Sequence, residues 1–325
     1  MSIFSTGLPL DKYTKVVPVF VTINNEYAPY AAAAIHSLFQ HSDKKRYYRV
    51  IILHDGLSFV NRLRFRSLVT KNCAIQFKKI TNSLWLRAVV SYVSKRKGMG
   101  DFFSKAVYFY RFFVPLLFPL YEKAVYIDSD TILRGDVGKL FDMELGENLV
   151  LAMPDPKVSG IPEFKEYVEN ALKVPASEYV NDGVMLMNLK KMRKEKYLSQ
   201  MVEMMKKFDA DLVAPDQDYL NVIGRGAIGY IGSEWNAEPT AEYDEGTMLV
   251  HFNLFNKPWH YKNVPGEKIF WNAAKGTGFY GDLKRQQEAF DDSKQKSDQE
   301  KVGALIEKAG MLAKRGKVLI KKIEK

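Results

Sequence analysis

The N-terminal half of the chain alternates between short apolar, β-branched runs and segments of helical character. "VVPVFVTI" (residues 16–23) is typical of a buried strand, and "APYAAAAIHSLFQH" a few residues later favours a helix. The same order returns twice, with the last helical segment predicted around residues 102–114, before "KAVYI", a further strand-like run that ends at Ile127. Because strands that alternate with helices indicate crossover connections, the pattern predicts an α/β fold with a mostly parallel central sheet flanked by helices.

Polar clusters follow three of the predicted strands at the point where each strand ends. They are Asn24-Asn25-Glu26, His54-Asp55 and Asp128-Ser129-Asp130. In open α/β sheets, ligands bind beyond the carboxyl ends of the strands. We therefore expect a binding site along this edge of the sheet.

Length and composition bound the domain organisation. A chain of 325 residues with 46% hydrophobic residues can bury a large core, and we predict one α/β domain over residues 1–275. Residues 276–325 lose the strand pattern and predict a polar linker followed by a basic amphipathic helical tail. Cys73 is the single cysteine, which excludes an intramolecular disulfide or a cysteine-based metal site and is typical of a reducing cytoplasm.

Neither a signal peptide nor a transmembrane span is predicted. The first residues lack a basic segment followed by a long apolar run. The longest apolar stretch, "AVYFYRFFVPLLFPLY", is interrupted by Arg111 and two prolines. We expect a soluble cytoplasmic protein.

The formal net charge of +10 indicates an anionic partner. Residues 301–325 contain eight basic and two acidic residues and so carry a net charge of +6. Their apolar residues recur at helical spacing, at Val302, Leu305, Ala309, Leu312, Gly316, Leu319 and Ile323. Such a helix either lies peripherally on an anionic membrane or packs on its own domain or on a partner, and these interpretations stay open. Basic residues are not regularly interleaved with aromatic ones, so nucleic-acid binding is not expected.

Asp128 and Asp130 are the strongest candidates for a metal site. Two carboxylates this close together at a strand end repel each other unless a cation neutralises them. Carboxylate oxygens suit Mg²⁺ or Mn²⁺, which often share phosphate oxygens as ligands. The alternative interpretation is a polar turn, because turns favour Asp on their own account.

Other polar residues have both a functional and a structural interpretation. His251 ends the strand-like "TMLVHF", and Lys257 follows six residues later as a candidate phosphate ligand. Arg111 lies among aromatic residues in "YFYRFF" and needs an anionic partner, either a structural carboxylate or a bound phosphate. "PDQD" (215–218) is typical of a helix start, and "NDG" (181–183) of a turn. Dinucleotide-binding, P-loop and nucleophile-elbow motifs are absent from the sequence.

In combination, these motifs resemble glycosyltransferase family eight. The resemblance covers residues 16–261 and is carried by "VFVTINNEYAPYAAAAIHSL", "YFYRFFVPLL", "KAVYIDSDTILRGDVGKLF", "NDGVMLMNLKKMR", "PDQDYLN", "EWN" and "HFNLFNKPWH". It implies a GT-A fold and transfer of a hexose from a UDP-sugar, with retention of configuration and with Mn²⁺ or Mg²⁺. The family includes bacterial lipopolysaccharide galactosyl- and glucosyltransferases and the glycogenins, so the implied acceptor is a glycan, a lipid-linked glycan or a tyrosine.

The resemblance also implies roles for individual residues. The implied metal ligands are Asp128, Asp130 and His251, and Asp128 is also implied to lie close to the donor. The implied donor-binding residues are Asn24, Asn25, Tyr27, Arg111, Asn181 and Lys257. The first three would contact uridine, and Lys257 would contact the diphosphate. Asp216 and Gln217 line the reaction centre. Because Gln217 is a poor nucleophile, attack on the same face as the leaving group is favoured over a covalent intermediate, although a covalent role for Asp182 or Asp216 stays open.

The sequence departs from the family pattern at three places. Leu254 stands where glycine is usual, Asp182 where a small residue is usual, and Asn24 or Asn25 where an acidic residue is common. Glycine at the position of Leu254 would let the backbone approach a phosphate closely. Two other interpretations therefore accompany the transferase: a glycogenin-like protein that glucosylates itself, and a non-catalytic sugar-nucleotide-binding protein of the same fold.

Overall fold

The protein is built around a seven-stranded mixed sheet. A computed structural model describes residues 16–81, 83–96, 105–316 and 319. The sheet order is β3-β2-β1-β4-β7-β6-β8. The strands are β1 (Val16–Ile23), β2 (Tyr47–His54), β3 (Cys73–Lys79), β4 (Lys123–Ile127), β5 (Thr131–Leu133), β6 (Val150–Pro154), β7 (Val180–Asn188), β8 (Ile228–Tyr230) and β9 (Leu249–His251).

The first four strands of the chain run parallel, as the alternating pattern predicts. Pairings β1–β2, β2–β3 and β1–β4 are parallel, whereas β7 runs antiparallel to both β4 and β6. β5 and β9 form a separate antiparallel pair in which Thr131 lies opposite His251. This small pair brings the chain after Asp130 beside a segment 120 residues away in sequence.

Helices cover both faces of the sheet. They are α1 (Ala28–Gln40), α2 (Phe59–Arg66), α3 (Leu84–Ser94), α4 (Val114–Leu117), α5 (Gly138–Asp142), α6 (Pro156–Gly160), α7 (Pro162–Asn170), α8 (Leu189–Lys194), α9 (Tyr197–Phe208), α10 (Pro215–Ile223), α11 (Glu267–Lys275), α12 (Tyr280–Glu288) and α13 (Asp292–Arg315). Strand residues alternate between two cores: Phe20 belongs to the core that also contains residues of α3, α7 and α9, whereas Val19 and Val21 belong to the core that contains residues of α1, α2 and α11. The strands are therefore buried on both faces, as their continuous apolar runs predict.

Two segments differ from the sequence predictions in their local structure. Residues 106–113, predicted as part of an α-helix over 102–114, form a 3₁₀ helix that continues into α4, and residues 101–104 lie outside the described residues. The polar stretch predicted as a linker is helical, since α12 and α13 cover most of residues 280–315. The domain division at residue 275 stays a prediction.

The apolar stripe of the tail packs on the protein itself. Leu305, Ala309 and Leu312 are buried in the same core as α7, and the backbone N–H of Leu319 donates to the Ala171 carbonyl (3.4 Å). Ile323 lies outside the described residues. In the part of the chain that the structure covers, no helix has the length and apolar character needed to cross a membrane.

We expect Leu312→Ala to destabilise the protein by about 3 kcal/mol, because it leaves a cavity between α13 and the core. Met311→Ala is a matched control, because Met311 is next to Leu312 on the same helix but is 49% exposed. We expect that control to change the free energy of unfolding by less than about 0.5 kcal/mol. Urea denaturation measures both, and equal effects would contradict the docking of α13 on the domain.

Candidate functional site

Three predicted metal ligands converge beyond the carboxyl end of β4. Asp128 follows β4, Asp130 precedes β5, and His251 ends β9, which pairs with β5. One ligand atom from each lies within 4.8 Å of the others. His251 Nε2 lies 3.1 Å from Asp130 Oδ1 and 3.9 Å from Asp128 Oδ2. Two carboxylates and an imidazole in this arrangement fit Mn²⁺ or Mg²⁺, and the oxygen-rich set is typical of those ions.

Neighbouring side chains orient these three ligands. His251 Nδ1 donates to Asn236 Oδ1 (2.9 Å), which leaves the Nε2 lone pair directed at the carboxylates. Tyr126 donates its hydroxyl proton to Asp128 Oδ1 (2.6 Å). Such outer hydrogen bonds fix the tautomer and the rotamer of metal ligands. Sequence reasoning did not single out Asn236 or Tyr126, although Asn236 ends the quoted motif "EWN".

Gly183 keeps the space between these ligands open. A Cβ atom at this position would lie 2.4 Å from His251 Cε1 and 2.8 Å from Asp128 Oδ2. The interpretation of "NDG" as a turn is therefore wrong, because the segment lies inside β7. Its glycine is required for the close approach of His251 and Asp128.

Arg111 is buried among three carboxylates. Its guanidinium lies 2.7 Å from Asp182, 3.0 Å from Asp128 and 3.5 Å from Asp216, and it stacks over the ring of Tyr126. Burial raises the pKa of Asp182 and of Asp216, although Arg111 opposes that shift in both. One guanidinium does not balance three carboxylates, so Asp182 and Asp216 are held closer to their protonated forms than an exposed Asp.

Asp182, a departure from the family pattern, thus has a structural partner. It is the carboxylate closest to Arg111, and its backbone carbonyl also accepts from Arg111 (2.6 Å). Its Oδ2 atom is buried without a hydrogen-bond partner among the described residues.

Gln217 is held rigidly in a buried amide and carboxylate network. Its Nε2 donates to Asp155 Oδ2 (2.9 Å), and its Oε1 accepts from Asn181 Nδ2 (3.2 Å) and from the backbone N–H of Asp182 (3.2 Å). Asn181 also donates to Asp155 (3.0 Å). The sequence analysis missed Asp155, whose one signal is its place directly after β6.

Asp218 is a second acidic residue that the sequence analysis missed. It is fully buried and accepts hydrogen bonds from the hydroxyls of Tyr167 (2.7 Å) and Tyr179 (2.6 Å) and from the backbone N–H of Ala214 (3.0 Å). Burial outweighs these hydrogen bonds and raises its pKa to about 7. Its signal in the sequence is the fourth position of "PDQD".

We expect Asp218→Asn to flatten the dependence of stability on pH. The folded pKa of Asp218 is about 7, whereas an unfolded Asp titrates near about 4. Between these values the native state holds a proton that the unfolded state releases, so the free energy of unfolding falls as pH rises from about 4 to about 7 and then levels off. The fall is on the order of 4 kcal/mol for this group alone.

Urea denaturation of wild type and Asp218→Asn at about pH 5 and about pH 8 measures this term, since the asparagine cannot titrate. Asp209→Asn, at a residue whose side chain is 47% exposed, is the control. A difference between wild type and Asp218→Asn that is the same at both pH values would contradict the raised pKa.

The segment predicted to bind uridine divides between two environments. Asn24 caps the loop by accepting from the backbone N–H of Tyr27 (3.0 Å), and both residues line the cavity. Asn25 instead accepts from the backbone N–H of Ser58 (2.9 Å) and from Asn61 Nδ2 (3.0 Å) at the start of α2, and it is not among the cavity residues. A contact between Asn25 and uridine stays a prediction.

Lys257 and Leu254 lie in the loop after β9. Lys257 Nζ donates to Asp130 Oδ2 (2.5 Å) and to the Phe252 carbonyl. Burial opposes ionisation of Asp130, but the charge of Lys257 is the largest opposing effect, and the pKa of that carboxyl is lowered. Leu254 is buried and has φ +64°, so it adopts the left-handed backbone that glycine would adopt, at a cost of about 1–2 kcal/mol. The loop keeps a glycine-type conformation without glycine.

One cavity of about 360 Å³ collects these groups. Ten of the eleven residues predicted to form the site line it: Asn24, Tyr27, Arg111, Asp128, Asp130, Asn181, Asp216, Gln217, His251 and Lys257. Asp155, Asp182 and Asp218 also line it, together with apolar residues of α7 and α13. The cavity thus combines a candidate cation site, a lysine next to it, and a buried polar network.

Comparison with known proteins identifies the family of the chain. A family model described as glycosyl transferase family 8 matches residues 18–263. The chain is 24% identical over 260 residues to a putative glycosyltransferase of Haemophilus influenzae (77% of this chain, 74% of that protein). It is 26% identical over 186 residues to lipopolysaccharide 1,2-glucosyltransferase of Escherichia coli (51% and 54%).

Solved structures show the same fold. The bifunctional glycosyltransferase WbbM superposes with a TM-score of 0.71 at 24% identity, and this chain spans about half of it (85% of this chain, 52% of WbbM). The galactosyltransferase LgtC, in complex with donor and acceptor sugar analogues, superposes with a TM-score of 0.64 at 23% identity (82% and 96%). The fold is GT-A, and the chain belongs to glycosyltransferase family 8.

Proposed function

We propose that the protein transfers a hexose from UDP-glucose or UDP-galactose to a glycan or lipid-linked acceptor, with retention of configuration and with Mn²⁺ or Mg²⁺, in bacterial surface polysaccharide synthesis. The observation that carries the proposal is the convergence of Asp128, Asp130, His251 and Lys257 at the cavity that also contains Gln217. The named similarity to lipopolysaccharide 1,2-glucosyltransferase and to LgtC supports the type of substrate.

The cavity residues suit a diphosphate leaving group. A metal ion held by Asp128, Asp130 and His251 would neutralise charge that develops on the diphosphate. Lys257 is already 2.5 Å from Asp130, so a diphosphate bound there would meet its ammonium group. Tyr27 and Asn24 line the same cavity and are the proposed uridine contacts.

The network around Gln217 favours same-face attack. Both polar atoms of the Gln217 amide are engaged by Asp155, Asn181 and the Asp182 backbone, so it positions the sugar rather than attacking it. The acceptor oxygen forms the new bond to the anomeric carbon as the bond to the β-phosphate oxygen breaks. That phosphate oxygen takes the acceptor proton, and the products are UDP and the glycosylated acceptor.

A panel of UDP-sugars with Mn²⁺ tests the proposal. Calorimetric binding and UDP release are measured for wild type and for Asp130→Asn, with and without a chelator. We expect metal-dependent binding of UDP-glucose or UDP-galactose by wild type alone. Absence of metal-dependent binding of every UDP-sugar would overturn the proposal.

Mass spectrometry of the protein after the same incubations, together with UDP release, separates the two alternatives. A mass increase of the protein itself by about 162 Da per transferred hexose would indicate a self-glucosylating initiator. Binding without UDP release in the presence of acceptor glycans would indicate a non-catalytic protein.

Cytoplasmic location and peripheral contact of residues 301–325 with an anionic membrane complete the proposal. Leu305, Ala309, Leu312 and Leu319 of this tail are buried against the domain. Contact through the tail would therefore depend on its lysines, since charge alone attracts basic segments to anionic lipid.

A further inference from the structure

Residues 56–100 form a strongly basic segment. They include ten basic residues and no Asp or Glu, so this segment alone carries a charge equal to the net charge of the whole protein, +10. The basic residues are Arg62, Arg64, Arg66, Lys71, Lys78, Lys79, Arg87, Lys95, Arg96 and Lys97. The C-terminal tail, with +6, is therefore not the main source of the excess.

The same segment exposes an unusual number of large apolar side chains. Six of the eleven large hydrophobic residues that are exposed in the described part of the chain lie between residues 59 and 90. Three of them are on α2: Phe59 (63% exposed), Val60 (56%) and Leu63 (46%). An exposed aromatic residue beside two exposed aliphatic ones forms an apolar patch, which is typical of a surface that contacts another molecule or a membrane.

Apolar and basic residues share one stripe of α2. Phe59, Leu63 and Arg66 are exposed at helical positions i, i+4 and i+7, the half-buried Arg62 lies beside them at i+3, and Phe65 is fully buried. Arg64 is engaged elsewhere, because it pairs with Asp282 of α12. We call Phe59, Val60, Arg62, Leu63 and Arg66 the α2 surface.

The α2 surface lies beside the mouth of the cavity. Helix α2 starts after the carboxyl end of β2, at the sheet edge where the cavity lies. Its first turn is tied to the cavity loop, since Asn25 accepts hydrogen bonds from Ser58 and Asn61. Leu84, 80% exposed, opens α3 after the carboxyl end of the neighbouring edge strand β3.

We propose that the α2 surface docks on an anionic membrane, with Phe59, Val60 and Leu63 inserted between lipids and Arg62 and Arg66 at the headgroups. Interleaved arginine and large apolar residues on an exposed helix match the interface between anionic headgroups and acyl chains. A nucleic-acid surface would use the positive charge but not the exposed aliphatic side chains. The apolar contact with the membrane is thus assigned to α2, because Leu305, Ala309 and Leu312 of the tail are buried.

Flotation of the full-length protein with vesicles tests the proposal. We compare phosphatidylcholine vesicles with vesicles that also contain phosphatidylglycerol, at low and at raised salt. We expect binding that needs phosphatidylglycerol and weakens with salt. Phe59→Ser/Leu63→Ser and Arg62→Gln/Arg66→Gln should each lower the partition coefficient about tenfold or more, through lost insertion and lost charge respectively.

Matched controls come from the opposite side of the protein. Leu120, 95% exposed, precedes β4 at the amino edge of the sheet, so Leu120→Ser should bind vesicles like wild type. Lys206→Gln/Lys207→Gln on α9 removes two exposed charges elsewhere and should reduce binding less than Arg62→Gln/Arg66→Gln. Replacing the four lysines among residues 317–325 by Gln should leave the effect of the α2 variants in place.

Three results would overturn the proposal. One is wild-type protein that does not bind the anionic vesicles, and a second is Phe59→Ser/Leu63→Ser that binds them like wild type. The third is binding to a single-stranded oligonucleotide that exceeds vesicle binding and is unchanged by Phe59→Ser/Leu63→Ser, which would assign the charge to nucleic acid. An unchanged melting temperature of each variant confirms that its fold is intact.

Discussion

Asp130→Asn is expected to lower kcat/KM about a thousandfold while the protein stays folded, because it would weaken binding of the metal ion that neutralises the leaving diphosphate, and loss of one group that stabilises a developing anion typically costs about two to three orders of magnitude. Asp130 contacts both His251 (3.1 Å) and Lys257 (2.5 Å), so its carboxylate links the candidate metal site to the lysine. Asparagine keeps the shape of the side chain but loses one negative charge and one acceptor oxygen. The backbone carbonyl of Asp130, which accepts from Phe252 (2.9 Å), is unaffected.

The measurement is UDP release from UDP-glucose and UDP-galactose over a range of Mn²⁺ concentrations. Asp209→Asn is a matched control, because Asp209 has φ +40°, a conformation that Asn tolerates, and pairs with Lys95 outside the cavity. We expect that control to retain wild-type kinetics. Retention of more than about a tenth of wild-type kcat/KM by Asp130→Asn would contradict the assigned role, since the loss would then fall below that typical of one such group.

The sequence predicts the strands well where apolar runs are continuous. β1 and β4 begin and end where "VVPVFVTI" and "KAVYI" do, because a strand buried on both faces needs an uninterrupted apolar run. β7 is the instructive exception. Its second and third residues, Asn181 and Asp182, are polar because they line the cavity, and polar residues before an apolar run have the pattern of a turn.

Most of the candidate site could be predicted from residues at strand ends and from their order along the chain. Asp155 and Asn236 could not, because each acts through a buried partner, Gln217 and His251 respectively. Such contacts depend on tertiary distances that no local pattern encodes. Leu254 shows the converse: its side chain suggests a changed loop, whereas its backbone keeps the left-handed conformation.

The tail shows a limit of amphipathic patterns. The spacing of Leu305, Ala309 and Leu312 correctly predicts a buried helical stripe, but an apolar stripe does not specify whether protein or lipid covers it. The net charge of the tail (+6) is also smaller than that of residues 56–100 (+10), so the tail is not the most basic part of the chain. Exposure of individual residues, which needs the structure, distinguishes the two segments.

Arg111→Met is expected to destabilise the protein by about 3–5 kcal/mol near neutral pH, because removal of one partner leaves buried charges uncompensated. Methionine approximates the length of the arginine stem but provides no charge for Asp128, Asp182 and Asp216, all within 3.5 Å of the guanidinium. The pKa of Asp182 and of Asp216 is already raised by burial, and loss of Arg111 raises both further. The variant therefore binds more protons in the native state than in the unfolded state, and its deficit shrinks as pH falls.

Urea denaturation of wild type and variant at about pH 5 and about pH 8 tests this sign, since the two carboxyl groups would take up protons in between. Arg193→Met is the matched control, because the guanidinium of Arg193 donates to the carbonyls of Pro115 (3.2 Å) and Tyr121 (3.0 Å). Carbonyl groups do not titrate, so we expect its loss of stability to be the same at both pH values. An equal pH dependence for Arg111→Met and Arg193→Met would show that Arg111 contributes through packing and hydrogen bonds to the backbone rather than through compensation of the three carboxylates.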